Sequence, residues 1–221
     1  MSHFAHQSEE NYLKTLYKLN NKQVKKLNNI TLAKTLELNP ATVLEMVRKL
    51  AKKNLLEIQP DKSLHLTEKG KKKALLTIRK HRLWEVFLVE KLHYKWNEVH
   101  ELAEQLEHIE SPNLIDRLEV YLGHPSFDPH GDPIPDKNGK IKINASVPLS
   151  SGQKGKSYLV VSLAETSDAF LSYLEKLSIK PGTKIKIIDQ NEYDQSFSAV
   201  IQKKTIQLSE KVAGNILVQP A

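Results

Sequence analysis

The segment HELAEQLEH, residues 100–108, sets two imidazoles and two carboxylates close together. On an α-helix advancing about 100° per residue, His100, Glu104, Glu107 and His108 share one arc, beside an apolar arc of Val99, Leu102, Ala103, Leu106 and Ile109. Upstream, RKHRLWE places His81 and Glu85 one turn apart among Ile78, Trp84, Leu88, Val89 and Leu92. Imidazole nitrogens and carboxylate oxygens are ligands for divalent cations, and a lone charge on the apolar side of a helix is expensive to bury. A single buried His is usually just hydrogen-bonded in a core. Here two helices each carry His and Glu at i, i+4 spacing (His81 with Glu85, His100 with Glu104), and the second adds Glu107 and His108. That doubling points to bound metal. Cysteine is absent, so the ligands must be nitrogen and oxygen atoms, and neither a disulfide framework nor a thiolate nucleophile exists.

These residues need a scaffold, and the chain is long enough to build one. Its 221 residues, 39% of them apolar, suit one or two small domains with ordinary cores. No apolar run approaches the roughly 20 residues that span a bilayer. The opening MSHFAHQSEE lacks the basic-then-apolar pattern of a signal peptide, so the expected location is cytoplasmic, with no membrane partner. The net charge of +7 is unevenly spread: residues 1–73 hold 15 Lys or Arg against 7 Asp or Glu, and the remainder 18 against 19. The basic excess therefore lies in the first third, as expected if that third meets a polyanion.

The same third has the pattern of a DNA reader. NYLKTLYKL (11–19), ITLAKTLEL (30–38) and PATVLEMVRKLAKKNLL (40–56) are amphipathic helices, the last two separated by a tight link at Asn39 and Pro40. Thr31 is a candidate cap for the second helix, and Pro40 suits the first turn of the third. LLEIQPDKSLHLT alternates apolar and polar residues on both sides of PDKS, a short β-hairpin. Three helices and a hairpin make a winged helix, whose second helix-turn-helix element enters the major groove. Its early, groove-facing residues are Asn39, Pro40, Ala41, Thr42 and Glu45; Ala41 and Glu45 suit base edges, Thr42, Arg48 and Lys49 phosphates, and Lys62 at the wing tip the backbone or minor groove.

Beyond it, Thr67 to Tyr94 reads as one long helix and NLIDRLEVYLG (113–123) as a shorter one ending at Gly123. HPSFDPHGDPIPDKNGK follows, with four of the ten prolines; it is read as a rigid connecting loop, although His124, Asp128, His130 and Asp132 invite a metal reading. From Val147 onward, short β-rich runs around one helix predict a small β-barrel of about 70 residues.

ENYLKTLYKL, ATVLEMVRKL, LHLTEKGKKKA, RKHRLWEVFLVEKL, EVHELAEQLEH and LGHPSFDPHGDPIP together resemble the diphtheria toxin repressor family of metal-dependent bacterial regulators, over residues 8–136. LEKLSIKPGTKIKII resembles the SH3-like domain of longer members. The resemblance implies a mainly α protein with small β parts. A winged helix-turn-helix spans 1–73, a helical metal-binding and dimerisation domain 74–136, a linker 137–147 and an SH3-like domain 148–221. It further implies a homodimer, not an enzyme, in which Mn(II) or Fe(II) switches on binding to a pseudo-palindromic operator in double-stranded DNA, repressing metal-uptake genes. The implied activating site is Asn11, Glu104, Glu107 and His108. The second is His81, Glu85 and His100, with Glu165 or Asp168 as further candidates from the SH3-like part.

Two departures stand out: Asn11 replaces an Asp common in the manganese branch, and Lys14 stands where that branch often has Glu. The amide offers only a carbonyl oxygen, so the site loses a negative charge. Other divalent transition metals should bind in vitro whatever the physiological ion. The alternatives are a metal-independent winged-helix regulator whose His and Glu form a structural network, and a metal-dependent hydrolase, against which stands the absence of HExxH.

Overall fold

The computed structural model describes residues 3–21, 26–142 and 145–221. They form two compact units. The first holds the chain through His81 together with Gln105–Pro112 and Pro135–Ile141; the second holds Arg82–Glu104, Asn113–Ile134 and Lys142–Ala221.

In the first unit, α1 (His3–Asn21), α2 (Asn29–Leu36) and α3 (Pro40–Lys52) precede a two-stranded antiparallel hairpin, β1 (Leu56–Ile58) and β2 (Leu64–Leu66). The expected winged helix is there, with Leu56 opposite Leu66 and Lys62 in left-handed conformation at the tip. Its core gathers Tyr12, Leu13, Leu16, Leu32, Val43, Val47, Leu50, Leu56 and Leu64. On α3 the buried Val43, Val47 and Leu50 follow i, i+4, i+7, so that face is fixed inward by burial worth about 1.5–3 kcal/mol per side chain. The cap of α2 differs from expectation: Asn28 accepts the Thr31 N–H, and Thr31 is the residue being capped. Asn28 sits in extended backbone just before the helix, where a side-chain oxygen reaches the orphan N–H groups. At α3 Pro40 takes the first helical position, as expected, and the Asn39 side chain accepts the Ala41 N–H.

Helix α1 also carries Glu9, 2% exposed, facing Lys53 Nζ at 2.6 Å, Lys49 Nζ at 3.0 Å and Lys73 Nζ at 3.8 Å. Burial pushes its carboxyl up, but hydrogen bonds from Lys53 and Lys49 pull it further down, leaving it below its ordinary 4.5. A carboxylate depressed in the folded state contributes stability above its unfolded pKa and loses it as pH falls through the folded one. Glu9→Gln is expected to lower stability at neutral pH by about 1 kcal/mol, the lysines being partly exposed, and to abolish this contribution's decline below pH 4.5, as thermal melts against pH would show.

Helix α4 (Glu68–Glu90) runs through both units, four residues short of the expected Tyr94. Leu92 and Tyr94 return their N–H groups to Phe87 and Leu88, and His93 is left-handed, which closes the helix. In the second unit, α5 (Val99–Leu106) and α6 (Pro112–Tyr121) are followed by β3 (Val147–Pro148), β4 (Ser157–Leu163), α7 (Asp168–Lys176), β5 (Lys184–Gln190), β6 (Phe197–Ile201), β7 (Lys204–Leu208), α8 (Glu210–Gly214) and β8 (Ile216–Pro220). The strands form one antiparallel sheet in the order β3-β8-β4-β5-β6-β7. Leu149, Val160, Leu171, Leu174, Ile185, Ile187, Phe197 and Val218 fill its core, with Trp96 packed against it. A register shift between Val160 and Ser162 bulges β4 at Val161. No helix among the described residues is long and apolar enough to cross a membrane.

Candidate metal centres and DNA-facing surface

Two polar clusters emerge, one in each unit. In the second unit, α4 supplies Arg82 and Glu85, α5 supplies His100 and Glu104, and the loop after α6 supplies Asp128, His130 and Asp132. Glu85, Asp128 and His130 are all buried, and each offers a ligand atom within 4.8 Å of the other two. His130 Nδ1 lies 3.9 Å from Glu85 Oε1 and 4.0 Å from Asp128 Oδ1. His100 Nδ1 is 3.3 Å from that same Glu85 oxygen, and its Nε2 is 3.5 Å from Glu104.

The loop is tied together by its own hydrogen bonds and is more than a connector. Asp128 Oδ1 accepts the backbone N–H groups of His130 and Asp132 at 2.8 and 3.0 Å, and a bridge pairs Phe127 with Pro133. Arg82 clamps it through Asp132 at 2.7 Å, Asp128 at 3.3 Å and the Pro133 carbonyl. His130 stacks on Trp96, and its Nε2 lies 2.9 Å from the Trp96 carbonyl. A carbonyl only accepts, so Nε2 carries a proton, and the ring turns Nδ1 toward two carboxylates. Burial pushes the Asp128 carboxyl well up, the neighbouring Glu85 and Asp132 carboxylates push it further, and Arg82 opposes them. An imidazole nitrogen and carboxylates converging in a buried cluster fit a divalent cation with oxygen and nitrogen ligands.

The first unit gathers the other cluster from α1, α4 and the exit of α5. The periodicity predicts a helix through Ile109, but α5 stops at Leu106, and Glu107 and His108 lie in the turn beyond it, both buried. Glu107 receives Lys14 Nζ at 2.6 and 2.8 Å on its two oxygens and His81 Nδ1 at 2.6 Å. His108 Nδ1 lies 2.7 Å from Glu10, which also holds Lys80 at 3.0 Å. Asn11 Oδ1 is buried without a hydrogen-bond partner, an acceptor that a cation or a water would satisfy.

His81 falls in the first unit, where it meets Glu107; Glu85, His100 and Glu104 fall in the second, where Glu85 meets His100 and His130. Glu10, Lys14, Lys80, Asp128 and His130 lie outside the expected ligand sets, although Asp128 and His130 carry metal-ligating side chains in the loop. The remaining candidates from the SH3-like part engage locally: Glu165 accepts from Ser167 Oγ at 2.6 Å, and Asp168 opens α7 behind the Ser167 cap.

On the wing-bearing unit, Pro40, Ala41, Thr42, Glu45 and Arg48 project from the exposed face of α3, and Lys62 is exposed at the hairpin tip. Asn39 is exposed with its side-chain oxygen in the cap, and Lys49 is half-buried against Glu9.

Three family profiles cover nearly the whole chain: residues 6–64 match the iron dependent repressor N-terminal DNA binding domain, 67–136 its metal binding and dimerisation domain, and 147–220 the FeoA domain. A solved manganese-dependent transcriptional repressor in complex with manganese superposes with a TM-score of 0.88 at 31% identity, over 96% of this chain and 99% of that one. The chain belongs to the diphtheria toxin repressor family. Among its relatives, the diphtheria toxin repressor of Corynebacterium diphtheriae is 28% identical over 95% of this chain and 96% of its own length. The iron-dependent repressor IdeR of Mycobacterium leprae is 37% identical over 57% of this chain, a stretch that spans only about half (54%) of that relative. These relatives are named as repressors, which favours neither the hydrolase nor the metal-independent alternative.

Proposed function

We propose that this family member is a metal-dependent transcriptional repressor, a cytoplasmic homodimer that binds a pseudo-palindromic DNA operator and controls genes of metal uptake and homeostasis. The observation that carries the reading is the convergence of Glu85, Asp128 and His130, all buried, with a ligand atom of each within 4.8 Å of the others. Glu85, Asp128 and His130 would hold the ion, Mn(II) or Fe(II), with His100 alongside. A second set draws on Glu107 and His108, with Asn11 as a further donor and His81 oriented by Glu107.

A bound divalent cation supplies the positive charge that the converging acceptors lack. The protein's residues do the rest. The Trp96 carbonyl orients the His130 ring, and Arg82 holds the Asp128 loop closed. On DNA, Glu45 accepts from a cytosine amine, Ala41 meets a thymine methyl, and Thr42, Arg48 and Lys62 hold the backbone. Only a difference in metal affinity between the DNA-competent and incompetent arrangements can drive such a switch. A two-fold dimer reads half-sites spaced by about 10 base pairs or a multiple.

Fluorescence anisotropy on labelled DNA from the protein's own upstream region tests this, in chelator and then across anaerobic Mn(II) and Fe(II) titrations at fixed salt. Metal is expected to tighten binding roughly 100-fold, within the range of allosteric coupling. Equal affinity with and without metal would remove metal as the signal.

A further inference from the structure

We propose that Lys14 is a tethered cation that competes with a divalent ion for Glu107. The proposal rests on the reading of Glu107 and His108 as metal ligands. Lys14 is 4% exposed, and Glu107 is fully buried. The ammonium straddles the carboxylate at 2.6 and 2.8 Å, so both oxygens already face a positive charge that belongs to the chain. His81 approaches Oε2 as well, at 2.6 Å.

A ligating carboxylate needs an oxygen lone pair aimed at the ion at about 2.0–2.6 Å. With Nζ this close to both oxygens, an ion on Glu107 would sit against the ammonium. Two positive charges in contact and out of water repel strongly. An ion therefore gains Glu107 only when Lys14 withdraws. The rest of the cluster is arranged in the same way: Lys80 holds Glu10, and Glu10 holds His108. Asn11 Oδ1, buried on the same helix face one turn before Lys14, is left as an unsatisfied acceptor. The first unit's cluster is thus closed by lysines in the metal-free protein, with α1 tied to the α5 exit by Lys14 and Glu107. Its metal site has a raised loading threshold.

The test counts bound Mn(II) by the loss of the free-ion electron paramagnetic resonance signal, using the full-length chain. Asp128→Asn silences the second unit's cluster, and in that background Lys14→Met is compared with Lys14→Arg and Lys14→Met/Glu107→Gln. Removing the ammonium is expected to tighten Mn(II) binding at the remaining site by roughly tenfold or more, as relief of like-charge contact implies. Arg should leave the affinity low, and adding Glu107→Gln should cancel the gain. If Lys14→Met binds no tighter while Glu107→Gln still weakens binding, the competition is overturned and the ligand reading survives. If Glu107→Gln changes nothing in any background, the ligand reading itself fails. Lys14→Met leaves Glu107 buried without its lysine and risks unfolding, so the unmutated chain provides a second readout. Mn(II) should raise acetylation of Lys14, followed by mass spectrometry, several-fold over the metal-free protein; unchanged labelling with Mn(II) bound overturns the proposal.

Discussion

Asp128→Asn is expected to weaken Mn(II) binding at the second unit's cluster by about 100-fold, the upper range for damage to a metal shell, and to erase metal-stimulated operator binding. The same change should leave the metal-free fold as stable as the wild type, or more so. Asn keeps the side-chain oxygen that accepts the His130 and Asp132 N–H groups. It also removes a buried charge that burial and the Glu85 and Asp132 carboxylates all disfavour, while Arg82 keeps Asp132 at 2.7 Å. A thermal melt with and without Mn(II) separates the two effects. Saturating the wild type at about 100 times its dissociation constant adds roughly 2.7 kcal/mol, and the variant should show almost none of this rise. A variant that melted early without metal, or kept the full metal-induced rise, would deny Asp128 its role as a ligand.

The other large effect falls on a residue with no side chain. Gly131→Ala is expected to destabilise the second unit by about 3 kcal/mol or more, and to lose metal binding with it. Gly131 has φ +87°, and a Cβ there would lie 1.9 Å from the Val161 carbonyl oxygen and 2.7 Å from Ser162 Cα, both backbone atoms of the bulged strand β4. Neither can yield without moving the sheet, so the loop must lift and carry His130 and Asp128 away from Glu85. Gly123→Ala is the control. Its φ is +74°, but nothing lies within 4 Å of the added carbon. It should lose only the left-handed penalty of about 1–2 kcal/mol and keep its Mn(II) affinity. Urea denaturation of the two variants, with Mn(II) titrations, distinguishes close approach from backbone strain; equal losses would mean the contact with β4 is unimportant.

Much of this architecture was legible in the residues because local rules decide it. The apolar spacing of Val43, Val47 and Leu50 and the Asn39–Pro40 start define α3, and the alternation around PDKS defines the wing. Gly123 ends α6 region as expected, in left-handed conformation. The pairing of His with Glu on two helices announced metal chemistry before any contact was known. Local rules also misled at two points. Asn28 rather than Thr31 caps α2, since either residue type suits a cap and only the backbone entry angle chooses between them. The helical pattern also runs on to Ile109, whereas α5 ends at Leu106, and Glu107 turns to meet Lys14 and His81, partners 93 and 26 residues away.

What the sequence by itself determined is the set of elements and the kind of chemistry: a winged helix, further helices rich in His and Glu, a β-rich C-terminal part and nitrogen and oxygen ligands only. The tertiary structure decided which donors meet. His81 meets Glu107 from beyond the end of α5, and the proline-rich loop delivers Asp128 and His130 to Glu85 because Gly131 lets its backbone close on β4. Periodicity reports which side of its own helix a residue occupies, but the partner across a fold depends on approach distances that no local pattern contains.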